Sequence, residues 1–228
     1  MARQARLVVP GFPYHVIQRG HDRRLVFLDD IDRRHYLEGL QEACAAHDLA
    51  VHAYVLMDNH VHLLCTPGQA DSLSLAMQAV GRRYVRRFNR RHARTGTLWE
   101  GRFRSSLVEA DRYFLACVRY IESNPVRAGR VDDVAAWPWS SHRHHIGLTV
   151  DPLVSPHACL FALGNTPFDR ESAYRHLFDD GLQMSEQDWL RQRLLRGKPT
   201  ASTDFQKDLE ATRGIQLLTR PVGRPRTR

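Results

Sequence analysis

Bulky, β-prone residues run through Phe12 to Arg19, with Tyr14-His15-Val16-Ile17-Gln18 at the centre, and predict a first strand. Gly20-His21-Asp22-Arg23-Arg24 follows as a polar turn. From Asp29 to about His47, residues Tyr36, Leu37, Leu40, Ala43 and Cys44 recur at the spacing of a helix with one buried face, and Asp29 or Asp30 can cap it. Leu49 to Met57 predicts a second strand and His60 to Thr66 a third, joined as a hairpin by Asp58-Asn59. A second helix is expected from Ser72 to about Arg91, and a loop holding Gly96 and Trp99 leads to a fourth strand at Ser105 to Glu109. A third helix starts near Asp111 and is expected to stop before Asn124-Pro125, because a residue preceding proline is pushed out of the helical region. The order β-α-β-β-α-β-α predicts an α+β fold of the split βαβ (ferredoxin-like or RRM-like) kind, an antiparallel sheet with helices on one face.

Beyond Asp151 the texture changes. Ser172 to Leu182, Ser185 to Arg196 and Ser202 to Thr212 each suggest a short helix, the second with a Ser cap and an acidic first turn. The end, from Arg220, is basic and broken by proline, the composition of a disordered tail. The expected division is 1–148 as the main domain, 149–215 as a helical extension and 216–228 as the tail.

Composition narrows the class. The chain has 228 residues, 43% hydrophobic, which is enough for a core. No apolar run is long enough to span a bilayer and none follows the basic N-terminus as a secretory signal would require. The four cysteines, Cys44, Cys65, Cys117 and Cys159, are widely spaced and read as small buried thiols, and a cytoplasmic location is expected. Net charge is +8, and Lys198 and Lys207 are the only lysines among 33 basic residues. Arginine forks onto phosphate oxygens and stacks on bases, which points to nucleic acid, although GC-rich coding also enriches it.

Candidate chemistry begins at Met57-Asp58-Asn59-His60-Val61-His62. Strand alternation puts His60 and His62 on one face, within joint reach of one divalent metal, and turns Val61 towards a core. An isolated pair of this kind is more often two edge histidines with ordinary hydrogen bonds. On the third helix Tyr120 and Asn124 are four apart and share a face, either as a phenol nucleophile with an amide ligand or as a core aromatic with a C-terminal cap. Tyr113 is the rival nucleophile, but Cys117 at its fourth following position is a poor ligand for a hard ion. Arg82, Arg83, Arg86, Arg87, Arg90, Arg91 and Arg94 form a positive stripe interleaved with Tyr84 and Phe88. The aromatics read as core and the arginines as phosphate contacts, joined by Arg102 and Arg104 near the fourth strand. Trp99 is a base-stacking platform or a core anchor. In the tail, Gly223-Arg224-Pro225 is similar to an AT-hook core, so Arg224 and Arg226 are candidate minor-groove contacts; a basic terminus without that role fits as well.

Three motifs occur in order over Tyr14 to about His144: Met57-Asp58-Asn59-His60-Val61-His62-Leu63-Leu64, Trp99-Glu100-Gly101-Arg102-Phe103, and Tyr120-Ile121-Glu122-Ser123-Asn124-Pro125-Val126-Arg127-Ala128-Gly129. Together they resemble the single-tyrosine transposases of the HUH superfamily, in particular the REP-associated tyrosine transposases. The resemblance implies that His60 and His62 bind Mg²⁺ or Mn²⁺, with Asn124 completing the site where the insertion-sequence branch carries Gln. It also implies that Tyr120 attacks a phosphodiester of single-stranded, hairpin-bearing DNA through a 5′-phosphotyrosine intermediate, in a monomer or a homodimer. Competing readings are a non-catalytic DNA-binding regulator, a metal-dependent nuclease that uses water, and a small-molecule metallohydrolase, which leaves the arginine stripe unexplained.

Overall fold

The computed structural model describes residues 8–179 and 181–217. The elements follow the expected order: β1 (Tyr14–Arg19), α1 (Asp30–Ala46), β2 (Leu49–Met57), β3 (His60–Pro67), α2 (Ser72–Arg91), β4 (Arg104–Leu107) and α3 (Ala110–Glu122). All neighbouring strands are antiparallel, in the order β2-β3-β1-β4. Asp29 caps α1 by accepting from the backbone N–H of Ile31 and Asp32.

Strand alternation divides the core in two. Tyr14, Val16, Val61, Leu63 and Cys65 face one side, where Tyr36 and Leu40 of α1 and Leu73, Val80, Tyr84 and Phe88 of α2 cover them. Ala53, Val55, Met57 and Leu64 face the other side and pack against Phe114, Cys117, Val118 and Ile121 of α3. So α1 and α2, which connect strands, share one face as expected, while α3 takes the opposite face. The reason lies in β2, buried along nearly its whole length, which needs cover on both sides.

The chain does not leave the helical region at Pro125. Ser123 stays helical (φ −78°, ψ 0°), and one further turn, α4 (Asn124–Arg127), follows at once. Proline removes the N–H that the Ile121 carbonyl would accept, and the Asn124 side-chain amide donates to that carbonyl instead at 3.1 Å, and to the Tyr120 carbonyl at 3.0 Å. Gly129, at φ +62°, ends the turn: its N–H donates to the Val126 carbonyl and that of Arg130 to the Pro125 carbonyl. The Asn-Pro-Val-Arg-Ala-Gly run is therefore a complete helix-ending device that fixes where Arg127 projects.

Beyond α4 come α5 (His142–His145), α6 (Ala158–Phe161), α7 (Pro167–Asp179), α8 (Met184–Arg196) and α9 (Thr203–Arg213). The helix expected from Ser185 starts earlier and lacks a side-chain cap, whereas Ser202 does cap α9 through the Phe205 N–H. Leu190 of α8 and Tyr174 of α7 join the α3 face of the core. A buried carboxylate, Glu122, ties α3 to this region: it accepts from Ser141 Oγ, from Tyr174 Oη and from the Nδ1 of His142 and His145. Burial alone would raise its pKa, but His145 and His142 outweigh it and hold Glu122 down at about 2. Among the described residues no helix is long and apolar enough to cross a membrane.

Candidate active site

The hairpin that carries the histidines is pinned at its turn. Asp58 pairs with Arg33 of α1 at 2.5 Å and with Arg130 at 2.6 Å, and its carbonyl accepts from Val26 and Phe27. Asn59 reaches back: its side-chain amide donates to the Arg23 carbonyl, and its Oδ1 lies 2.6 Å from His60 Nδ1. The Asn124 side chain is a second hydrogen-bond partner of the His60 ring.

His62 is oriented by a residue that the sequence did not single out. His15 of β1 is buried, and its Nε2 lies 2.9 Å from His62 Nδ1. Register explains the meeting, since Ile17 is opposite His62 and His15 is its same-face diagonal neighbour. Among the described residues no hydrogen bond reaches His62 Nε2. Burial drives His15 down to about 3, His60 to about 4 and His62 well below its ordinary value. For His60, the Arg19 and Arg127 charges add to this and the Asn124 amide opposes it. Both candidate ligands are thus neutral imidazoles at neutral pH, the form that binds a metal.

Tyr120 lies over this pair, its ring 5.8 Å from that of His62 and 5.5 Å from that of His15. The Arg127 guanidinium covers the ring from the other direction, 4.0 Å from its centroid. Because the Asn124 nitrogen is committed to the helix carbonyls, Oδ1 is the atom that accepts from His60. Asn124 thus serves both as the helix cap and as a partner of His60. Tyr120, His60, His62 and Asn124 line one cavity of about 420 Å³, together with Arg19, Arg127 and, from α8, Gln187, Asp188 and Arg191. Tyr113 is not part of it; it packs against Trp189, ring centroids 4.9 Å apart.

The donor set fits a hard divalent ion only in part. Two imidazoles and one amide oxygen leave coordination positions for substrate and water. Among the described residues no cluster of three or more His, Cys, Asp or Glu could hold a metal.

The predicted DNA contacts separate into two kinds. On α2, across the sheet from the histidines, Arg83 pairs with Glu42, Arg87 with Glu38 and His35, and Arg91 with Asp29 at 2.5 Å and Asp32 at 2.7 Å. These partners lie on or cap α1, so three of the candidates serve the packing of two helices. Arg82, Arg86 and Arg90 are exposed, line one groove and have no ion pair among the described residues. Arg104 donates to the Leu195 carbonyl; Arg102 is exposed beside it in a cavity of about 530 Å³. Tyr84 and Phe88 are core residues, and so is Trp99, 6% exposed, which decides against a stacking platform. Arg224 and Arg226 lie outside the described residues.

A tyrosine and two histidines share one face of an antiparallel sheet on a basic protein. The family is specific: residues 8–124 match the model described as "Transposase IS200 like", and the chain belongs to that family. A Haemophilus influenzae protein named for the REP-associated tyrosine transposases is 24% identical over 141 residues, 58% of this chain and 80% of that protein. A solved REP-associated tyrosine transposase, bound to a REP hairpin, shares the fold with a TM-score of 0.52. It is 18% identical, and the match covers 69% of this chain and 99% of that one.

Proposed function

We propose that the protein cleaves and rejoins single-stranded DNA at hairpin-bearing sites, with Tyr120 as nucleophile. The observation that carries this reading is the placement of Tyr120 at one cavity with His60, His62 and Asn124, while Tyr113 packs elsewhere. The Tyr120 oxygen forms a bond to phosphorus as the bond from phosphorus to the 3′ oxygen breaks. The phenol gives up its proton, the leaving 3′ oxygen takes one up, and a 5′-phosphotyrosine results. The new ester keeps the energy of the old one, so attack by another 3′-OH rejoins the strand without a nucleotide cofactor. His60 and His62, with Asn124 directly or through water, would hold Mg²⁺ or Mn²⁺, which when bound neutralises phosphate charge and orients it for in-line attack.

The residues of the chain do the rest. Asn59 and His15 orient the two imidazoles, and the Asn124–carbonyl bonds hold the tyrosine helix at its end. Hairpin DNA as substrate is supported by the free arginines of the α2 groove and by the hairpin bound to the structural relative. The minor-groove role of Arg224 and Arg226 and the division at residue 148 are part of the same proposal. The test is covalent capture on a denaturing gel, with labelled hairpin-bearing single-stranded DNA and Mn²⁺, for wild type and Tyr120→Phe. A metal-dependent adduct lost in the variant is expected. Cleavage without an adduct would assign the attack to water, and binding with neither would leave a DNA-binding protein.

A further inference from the structure

Three arginines from three separate elements converge on the cavity at Tyr120: Arg19 at the end of β1, Arg127 on α4 and Arg191 on α8. None of them has a carboxylate within salt-bridge distance among the described residues, in contrast to Arg83, Arg87 and Arg91 on α2. Asp188, one turn before Arg191, is the one acid among the lining residues. Lost hydration and the like charge of Arg191 push Arg127 below its ordinary value, while Tyr120 acts against them. Three guanidinium groups held together with one acid repel one another, and an anion that enters relieves the repulsion. Arg191 lies beyond the residues matched by the family.

We propose that Arg19, Arg127 and Arg191 form the subsite for the phosphodiester transferred to Tyr120, with Arg127 as a catalytic residue. The inference rests on the tyrosine reading above. Arg127 covers the Tyr120 ring at 4.0 Å and hydrogen-bonds the Tyr120 side chain, so its planar fork lies beside the phenol oxygen that phosphorus must approach. A guanidinium there meets the non-bridging oxygens with paired N–H donors as charge builds on them, and it neither gains nor loses a proton. The Schellman ending at Gly129 fixes the turn from which Arg127 projects. Arg191 makes the C-terminal extension part of the active site.

The test uses the full chain, a stemless single-stranded oligonucleotide and a hairpin-bearing one. Removing an oxyanion donor costs about 10²–10³ in rate, so Arg127→Ala is expected to slow capture about 100-fold. Millimolar guanidinium is expected to restore part of that rate, and Mn²⁺ affinity, read by electron paramagnetic resonance, is expected to stay at the wild-type value. Arg191→Gln is expected to slow capture to a smaller degree. Each variant should also make the salt dependence of stemless-strand binding shallower by about 0.7 in log–log slope. Wild-type capture rates in both variants would overturn the proposal, as would a loss in Arg127→Ala that guanidinium does not restore. Absence of any adduct from wild type would remove the tyrosine reading instead. The salt slopes would then decide the subsite alone, shallower slopes supporting it and unchanged ones overturning it.

Discussion

The two faces of the sheet use the same strands for different ends. From β3, Val61, Leu63 and Cys65 enter a dry core under α1 and α2, while His60 and His62 go to the cavity under α3. On the first face Arg83, Arg87 and Arg91 are neutralised locally, between two helices. On the second, three arginines and a phenol converge with one acid among them. A face built for stability satisfies its charges internally. A face built for a ligand leaves them for the ligand to satisfy.

The largest effects should divide along that line. Tyr120→Phe is expected to remove covalent capture altogether and leave the melting temperature nearly unchanged, because its ring still packs against His15 and His62. Leu63→Ala, on the other face and fully buried, is expected to cost about 2–5 kcal/mol, seen as a clear drop in melting temperature. At a temperature where the variant is folded, its capture rate should match wild type. A Leu63→Ala protein that is stable but inactive would break the comparison.

Acid should weaken the fold through both buried sets. His15 and His52, a buried histidine of β2 beside Thr66 Oγ1 and the Ser155 carbonyl, have folded pKa values of about 3 and 4, below the unfolded value of 6.5. The unfolded chain therefore takes up protons first as pH falls through 6.5, and stability declines towards those folded values. Glu122 acts in the same direction lower down: its contribution is present above 4.5 and is lost as pH falls towards about 2. Thermal melts are expected to be flat from pH 7 to 8.5 and to fall below pH 6.5; a rise on acidification would contradict these buried states.

A smaller effect separates the two kinds of α2 arginine. Replacing Arg82, Arg86 and Arg90 together by Gln is expected to flatten the salt dependence of hairpin binding, by about 0.9 in log–log slope for each duplex phosphate no longer neutralised. Replacing Arg83, already paired with Glu42, should change it less. Smallest of all, truncation at Pro221 is expected to weaken hairpin binding more than binding to unstructured strands. Equal loss on both would remove the minor-groove role of Arg224 and Arg226.

Most of the fold was legible because its signals are local. The Asp29 cap, the Asp58-Asn59 turn and the spacing of Tyr36, Leu40 and Ala43 each act within a few residues. The second covered face was not expected, although the unbroken apolar run Ala53-Tyr54-Val55-Leu56-Met57 carries its signal, since a one-sided sheet does not need it. What escaped depends on distance along the chain. His15 becomes a partner of His62 only once β1 and β3 are in register. Arg83 and Arg87 look free until α1 brings Glu42 and Glu38 beside them. Arg191 reaches the cavity only because α8 folds back over α3. At Pro125 the local rule gave way to a side chain, Asn124, that replaces the missing donor.

The most direct test is to locate the attachment site of the DNA. Trypsin cuts after Arg119 and Arg127 and after Arg112, which puts Tyr120 and Tyr113 on separate peptides, Tyr120–Arg127 and Tyr113–Arg119. After capture with Mn²⁺ and nuclease trimming, mass spectrometry is expected to find the nucleotide on Tyr120 of the first peptide. A nucleotide on Tyr113, or cleaved DNA with both peptides unmodified, would contradict the assignment of Tyr120 as the nucleophile.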